Sequence, residues 1–452
     1  MIVCSWKSRP RKEALEEIPT TLKGWYQALQ PQTSPFPLHF VVFQIYPPKL
    51  LLQPLSVLLS QKEDSELVPA ALKNSQIETE TCIYYFDSLF DGERIVVNAI
   101  GVDIGTKNVV VALRSNKKTI FLREINGYYV FPRPTKFVEN MLDDSSKVRS
   151  DGTKRAAKWI KLDNRDGLYV LGRDAEEFAY AHNDTLLRPM AEGGVAPDED
   201  AMTILASIVQ GLLAMAEHEI GQFQDEVKLC YCVTAPALNR QSNVEYHKQV
   251  IDLIIANYKT AAKIGSETIR ESHAIVLKES PDGTGIGISW GAGTVTVSYV
   301  LWGTEIYSFS WVGAGDWIDL QVACRHGYDP ESPRKRSPET PTTVCRVKEQ
   351  IDLLKDYKTR LELDIVLHYR ILIQNVIRGI VQGFIDNESR ARIDKPIDVF
   401  MAGGTSSPNG FEELVSQLFA EQQPPFSINK IIRCKDPLFA VALGCLQAAE
   451  MQ

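Results

Sequence analysis

Residues 103–107 place a carboxylate, a glycine, a hydroxyl and an ammonium group close together between two apolar runs. Gly105 has no Cβ, so its backbone can approach a bulky anion and adopt φ values that other residues avoid. The backbone N–H groups of such a turn, with Thr106 and Lys107, can surround phosphate oxygens. Asp103 can hold Mg²⁺ through its water shell, because Mg²⁺ gives up water reluctantly. This spacing favours phosphate binding with a metal ion, and an ordinary hairpin with a glycine turn is the alternative.

The order of strand and glycine turn that positions these groups occurs three times, at 95–114, 285–302 and 397–406. In open α/β sheets, ligands bind beyond the carboxyl ends of the strands, so such turns can meet around one ligand. Two opposed hairpins would then hold the phosphates, and the third turn would pack on a nucleoside.

Apolar patterning predicts an α/β fold from residue 95 onward. The predicted strands cover 95–104, 108–114, 118–123, 128–132, 227–234, 285–289, 294–302, 304–311 and 397–401. The predicted helices cover 201–220, a segment ending near 258, 343–358, 360–387, 410–420 and a last segment from 436. Residues 1–95 lack this pattern and form an N-terminal extension of unknown role, which we expect to be partly disordered.

Composition excludes some function classes. The net charge of −8 argues against a nucleic-acid binder, which would carry a basic face. The eight cysteines are scattered and no secretory signal is evident, so we expect reduced thiols in the cytoplasm. The seven histidines lack metal-ligand spacing, so no metal site built from them is expected.

The apolar tract at 37–60 is long enough to suggest a membrane helix. Pro47, Pro48 and Pro54 would interrupt such a helix. The start of the chain is basic and interrupted by prolines. We also expect it to contact a membrane or a membrane protein, although its sequence is not a clean amphipathic helix.

The region from about 98 to 450 resembles the actin-like, Hsp70-like ATPase superfamily, and within it the MreB type of bacterial actin. Residues 101–108 resemble the phosphate-1 loop, 288–295 the phosphate-2 loop and 401–406 the adenosine motif. Further stretches that match in order are 171–175, 187–194, 233–236, 269–274, 303–316 and 436–444.

The resemblance implies an α/β, actin-like ATPase fold, with two similar α/β halves around a nucleotide cleft. Each half is a mixed sheet with flanking helices. Domain I would cover 96–235, with 436–452 packing back on it, and domain II would cover 236–435. The implied cofactors are ATP and Mg²⁺, and the implied partner is a second copy of the chain in a filament.

The resemblance also implies roles for single residues. Asp103 would organise the metal ion and take part in catalysis. Glu271 would position or polarise the attacking water, because phosphoryl transfer needs a positioned nucleophile. An exposed Glu at a helix start is the alternative for Glu271. Lys348 and Glu349 fall near the adenosine-contacting helix, where we favour a solvated helix face. The phosphates are assigned to Gly105, Thr106, Lys107, Asn108, Gly291, Gly293 and Thr294, and the nucleoside to Gly403, Gly404 and Thr405.

One residue departs from the family pattern. Ser289 stands where the phosphate-2 turn of the family begins with an acid. A hydroxyl supplies no negative charge to Mg²⁺, so metal binding would depend more heavily on Asp103. With this departure, the resemblance implies a prokaryotic cytoskeletal, filament-forming ATPase of the MreB type with weakened hydrolysis. The alternatives are an Hsp70-like chaperone ATPase domain, a small-molecule kinase and a nucleotide-sensing pseudo-ATPase.

Overall fold

The computed structural model describes residues 2–4, 40–42, 95–114, 119–144, 158–163, 165–182, 184–241, 243–332, 339–355, 357–391 and 395–452. It divides into two compact units, one of residues 1–83 and 148–154 and the other of 84–147 and 155–452. In the first unit, β1 (Ile2–Cys4) pairs antiparallel with β2 (Phe40–Val42). The predictions for the extension and its apolar tract otherwise fall outside the described residues.

The second unit contains two five-stranded mixed sheets. The strands of the first sheet stand in the order β12-β11-β3-β4-β5. Their bounds are β3 Ile95–Ile104, β4 Asn108–Arg114, β5 Thr119–Ile125, β11 Gly221–Val233 and β12 Lys263–Arg270. β4 runs antiparallel to both of its neighbours, β3 and β5, whereas β11 runs parallel to both β3 and β12. The predicted hairpin strands 95–104 and 108–114 are confirmed.

Both faces of the first sheet are covered, which explains the unbroken apolar run in β4. Val109 and Val111 point into one core with the helix Glu199–Met215, and Val110 and Ala112 point into another. Of the described residues, one helix, Glu199–His218, is long and apolar enough to cross a membrane. Its Ile204 is fully buried in the first core, so packing against the sheet accounts for its apolar face.

A small three-stranded sheet and several helices are attached to the first sheet. The sheet has the order β6-β8-β7 and a core of its own around Leu142 and Leu168. The elements are β6 Tyr128–Phe131, α1 Lys136–Asp143, β7 Trp159–Ile160, β8 Leu168–Leu171, α2 Gly172–Ala181, β9 Met190–Ala191, β10 Gly194–Val195, α3 Glu199–Met215 and α4 Val244–Ala256. The helix predicted at 201–220 ends as a π-helical turn, Ala216–Ile220.

The second sheet repeats the plan of the first, in the order β15-β14-β13-β16-β17. Two antiparallel pairs, β13 with β14 and β14 with β15, adjoin two parallel strands. The elements are α5 Glu271–Glu279, β13 Gly285–Trp290, β14 Thr294–Leu301, β15 Thr304–Val312, α6 Gly315–Arg325, α7 Pro341–Gln350, α8 Arg360–Asp386, α9 Glu388–Ala391, β16 Ile397–Ala402, α10 Phe411–Gln422, β17 Ile428–Arg433 and α11 Ala440–Glu450. The predicted fold of two similar α/β halves is confirmed.

Helices α5 and α11 lie between the two sheets in a shared core. Three glycines allow the close approach, because a Cβ on Gly101, Gly287 or Gly444 would lie only 2.0–2.1 Å from a backbone oxygen. α11 therefore packs on β3 of the first sheet, through Gly101 and Ala442. The domain boundary at 235 and 236 stays a prediction, and the pairing of β12 with β11 carries the first sheet on to residue 270.

Candidate functional site

The first two glycine turns have the same backbone closure. In the first, Gly105 N donates to Asn108 O at 2.9 Å. In the second, Gly291 N donates to Thr294 O at 3.0 Å. Each turn thus reverses the chain within a few residues, and the residue that closes it is a glycine.

The structure brings these two turns together. A Cβ placed on Gly293 would lie 2.6 Å from Thr106 Oγ1 and 3.0 Å from Gly193 N. Gly193, with φ +77°, lies similarly close to the Thr294 side chain. Only glycine allows the tips of the two hairpins to meet in this way.

The third turn joins the second from the adjacent strand. Thr405 Oγ1 donates to Gly291 O at 2.7 Å. Gly403 has φ +96°, and a Cβ there would lie 2.3 Å from Trp290 O. All three predicted turns therefore lie around one point of the molecule, between the two sheets.

Asp103 and Glu271 lie on the inner side of the turns. Asp103 is the last residue but one of β3, and the Cys232 thiol donates to its Oδ1 at 3.2 Å. Burial raises the pKa of Asp103 to about 6, although the Cys232 hydrogen bond opposes the shift. Burial and the nearby charge of Asp103 raise the pKa of Glu271, the first residue of α5, to about 7. Burial is the main reason that both carboxyl groups resist ionisation, and the charge of Asp103 adds to the effect on Glu271.

Ser289, the departure from the family pattern, faces this pair of carboxyls. Its register partner on β14 is Thr296, and both hydroxyls lie within hydrogen-bonding reach of the Glu271 carboxylate and lower its pKa against the burial. The position of the missing acid is thus filled by a hydroxyl that binds the neighbouring glutamate.

Charged side chains link the two halves beside the glycine turns, in a region that we call the opening. Lys107 Nζ donates to Glu349 Oε1 at 2.6 Å and to Cys345 Sγ at 3.3 Å, both on α7. Arg188 forms an ion pair with Asp316 at the start of α6. Burial alone would raise the pKa of Asp316, but the Arg188 guanidinium outweighs it and the net pKa is lowered.

The expectation that Lys348 lies on a solvated helix face is wrong. Lys348 is only 6% exposed, and its Nζ donates to Gly315 O and Asp319 Oδ2, each at 2.7 Å. Asp319 Oδ1 is buried with no hydrogen-bond partner in the described part of the chain. Glu349, one residue further, is exposed as expected and pairs with Lys107.

Sequence reasoning missed several residues of this site, among them Thr234, Thr296, Asp319 and Cys345. Thr234 Oγ1 and Thr296 Oγ1 lie 3.1 Å apart and join the two halves. The alternation of Thr294, Thr296 and Ser298 on a buried strand was a signal for a polar face. Asp319 and Cys345 had no such signal, because their partners, Lys348 on α7 and Lys107 in the first glycine turn, are distant in sequence.

The donor set fits a nucleotide with a divalent cation. Asp103 and Glu271 are buried carboxyls, and a cation beside them would favour their ionised forms against the burial that raises their pKa values. Lys107 and Arg188 lie at the opening, where phosphate charge would be attracted. Oxygen ligands with retained water are what Mg²⁺ prefers.

Comparison with solved structures identifies the fold. The chain is similar to the MamK double helical filament, with a TM-score of 0.55, 15% identity, and coverage of 79% of this chain and 99% of that chain. It also matches MreB5 of Spiroplasma citri bound to ADP, with a TM-score of 0.48, 14% identity and coverage of 78% and 95%. The ethanolamine utilization protein EutJ from Carboxydothermus hydrogenoformans matches with a TM-score of 0.44, 14% identity and coverage of 82% and 98%.

No curated protein matches the chain in sequence. A family model named Volactin matches residues 98–449, which include both sheets and all three glycine turns. The fold is the actin-like ATPase fold, as the resemblance implied. The chain belongs to the Volactin family.

Proposed function

We propose that this protein binds ATP with Mg²⁺ between its two halves and assembles into filaments. The observation that carries the proposal is the meeting of three glycine turns at one point, with Thr405 bonded to Gly291 and Gly293 against Thr106. Backbone turns without side-chain bulk are what a bound polyphosphate requires. The charged residues at the opening and the carboxyl pair within supply the complementary electrostatics.

Each turn has a distinct part in this proposal. Gly105, Thr106, Lys107 and Asn108 would hold the phosphates from the first half. Gly291, Gly293 and Thr294 would hold them from the second half. Gly403, Gly404 and Thr405 would meet the nucleoside, since this turn lies beside the second one.

Asp103 would hold the metal ion, and Glu271 would orient the attacking water. When bound, Mg²⁺ neutralises phosphate charge during transfer. Ser289 adds no charge to that ion, so the chain offers one fewer carboxylate than the family pattern. We therefore propose tight nucleotide binding with slow hydrolysis.

Likeness to a filament-forming protein supports the assembly part of the proposal. The MamK relative is a double helical filament, and head-to-tail contacts that do not close a ring generate filaments. Nucleotide that draws the two halves together would fix the relative orientation of the surfaces on both. Self-association is therefore expected to depend on the bound nucleotide.

Three measurements on the full chain test the proposal. Calorimetry gives the affinity for ATP and ADP with Mg²⁺, phosphate release gives turnover, and sedimentation with electron microscopy gives assembly. The expected result is binding, slow turnover and nucleotide-dependent filaments. A protein that stays monomeric in every nucleotide state would count against the filament proposal.

A second candidate, a nucleotide sensor without turnover, is favoured by Ser289. The two candidates separate on Glu271→Ala. If Glu271 acts on the attacking water, this variant loses the residual turnover and keeps nucleotide affinity. Turnover typical of the superfamily that survives Glu271→Ala would contradict both the weakened site and the role of the glutamate.

A further inference from the structure

Three buried hydroxyl residues stand in one row across the second sheet. Ser289 on β13 lies opposite Thr296 on β14, which lies opposite Ser310 on β15. Residues that are directly opposite in antiparallel strands point to the same face, so the three hydroxyls lie side by side. All three are at most 4% exposed. We call Ser289, Thr296 and Ser310 the hydroxyl row.

One end of the hydroxyl row holds Glu271. Ser289 and Thr296 both reach its carboxylate. A hydroxyl has one proton to donate. When Thr296 donates this proton to ionised Glu271, its oxygen must accept a hydrogen bond from any further partner. That partner is Thr234 Oγ1, at 3.1 Å.

The other end of the row holds the segment 234–238, which leads out of β11 and passes along β15. Ser310 Oγ donates to Ala235 O at 2.8 Å, and Ser310 N donates to Pro236 O at 2.8 Å. Leu238 N returns a bond to Ser310 O at 2.9 Å. The row therefore runs from the candidate glutamate to the crossing segment, defined as residues 234–238.

We infer that Thr296 is a positioning residue that ties Glu271, through Thr234, to the crossing segment between the two halves, which Ser310 holds against β15. The inference rests on the proposed function where it concerns nucleotide turnover. A shift of Glu271 toward or away from the phosphates then moves Thr296, and with it the contacts of Thr234. In the opposite direction, rotation of the halves about the crossing segment alters the hydrogen bond between Thr296 and Glu271.

Thr296→Val tests the inference, because valine keeps the shape of threonine without the hydroxyl. In the free protein, hydrogen exchange at the amides of Leu238 and Ser310 should accelerate about tenfold, as loss of one hydrogen bond near a charged group predicts. With ATP and Mg²⁺, affinity and KM should stay within about twofold, while kcat falls about tenfold for the same reason. Thr296→Ser should restore both properties.

Ser298→Ala is the matched control. Ser298 lies on the same strand and face, one row further, and bonds to Ser272 and Glu305 instead of Glu271. Its loss should leave exchange at Leu238 and Ser310 unchanged. Equal acceleration in both variants would mean general loosening of the sheet and would overturn the inference.

The experiment also separates the inference from the proposed function. If the wild type does not bind nucleotide, the proposed function fails. Hydrogen exchange in the free protein then still shows whether Thr296 couples Glu271 to the crossing segment. If the wild type binds without turnover, the exchange comparison again decides. Wild-type exchange rates in Thr296→Val would overturn the inference in either case.

Discussion

The ammonium of Lys107 lies 2.6 Å from the carboxylate of Glu349, and so joins the first glycine turn to helix α7 beyond the second sheet. The lysine side chain is 21% exposed and the glutamate side chain 54% exposed, so water screens the pair. The same lysine is the candidate phosphate contact. Entry of a nucleotide would thus exchange one partner of Lys107 for another.

This ion pair should be weak enough to exchange. A double-mutant cycle of Lys107→Met and Glu349→Gln should give a coupling energy of about 0.5–1 kcal/mol in urea unfolding at low salt. The coupling should shrink as salt is raised to about 1 M, because ions screen exposed charges. A coupling energy that does not depend on salt would show that the pair is not screened as the geometry indicates.

The carboxyl pair predicts how the stability of the free protein depends on pH. Asp103 and Glu271 have folded pKa values of about 6 and about 7, above their ordinary values of 3.8 and 4.5. The folded state therefore holds these protons more tightly than the unfolded state. The stabilisation of the folded state by these protons is fully present below about pH 4 and is lost as pH rises through 6 to 7.

Glu271→Gln should remove part of this pH dependence. Relative to wild type, the variant should gain about 1–3 kcal/mol at pH 8 compared with pH 4, because each pKa unit corresponds to about 1.4 kcal/mol. Glu245→Gln, an exposed acid in the first turn of α4, is the control and should gain nothing. Urea unfolding at the two pH values measures the difference, and a gain that is equal at both would contradict the prediction.

The buried pair of Lys348 and Asp319 should be costly to break from one side. Lys348→Met leaves the Asp319 charge buried without its partner and should destabilise the protein by about 3–5 kcal/mol. The double variant Lys348→Met with Asp319→Leu removes both charges and should recover most of that loss. Chemical denaturation of the single and double variants provides the comparison. A double variant no more stable than Lys348→Met would show that the unpaired charge of Asp319 is not the cause of the destabilisation.

Restoring a carboxylate at position 289 should strengthen metal binding. Ser289→Asp brings a third carboxyl beside Asp103 and Glu271, so the free protein should lose about 1–3 kcal/mol of stability. Mg²⁺ should reverse that loss and should tighten ATP binding more than in the wild type. Ser289→Asn has the same shape without the charge, and Mg²⁺ should not rescue it. Equal behaviour of the two variants would show that a carboxylate at position 289 does not contribute to Mg²⁺ binding.

The first hairpin was predictable from the sequence because its signals are local. Apolar runs on both sides of a glycine turn define β3 and β4, and the structure places their ends at the predicted residues. The repetition of strand and glycine turn in the second sheet likewise predicted its hairpin. The fold followed because three such turns in order are rare by chance.

Some element ends depended on tertiary contacts that no local pattern shows. The helix predicted at 343–358 ends at Gln350, because Leu353 N donates to Asn409 O and draws the chain into an extended segment. The last helix begins at Ala440 instead of 436, since Pro437 and its neighbours form a turn bonded to Gly403.

The partners within the site were the hardest to predict. The sequence showed that Ser289 replaces an acid, but the register that sets Thr296 opposite it comes from strand pairing. Lys348 was misjudged because Asp319, which neutralises it, lies on a different helix. Pairwise contacts of this kind depend on how elements pack and not on the residues around each position.

The most direct test of the central claim is calorimetric titration of ATP with Mg²⁺ into wild type, Gly293→Ala and Gly211→Ala. A Cβ on Gly293 would lie 2.6 Å from Thr106 Oγ1, whereas one on Gly211 has no neighbour within 4 Å. The two hairpin tips should be forced apart in the first variant only, and Gly211→Ala should gain about 0.5–1 kcal/mol of stability. We predict one bound nucleotide in wild type and Gly211→Ala, and none in Gly293→Ala. No binding to wild type, or undiminished binding to Gly293→Ala, would contradict the claim that the meeting turns hold a nucleotide.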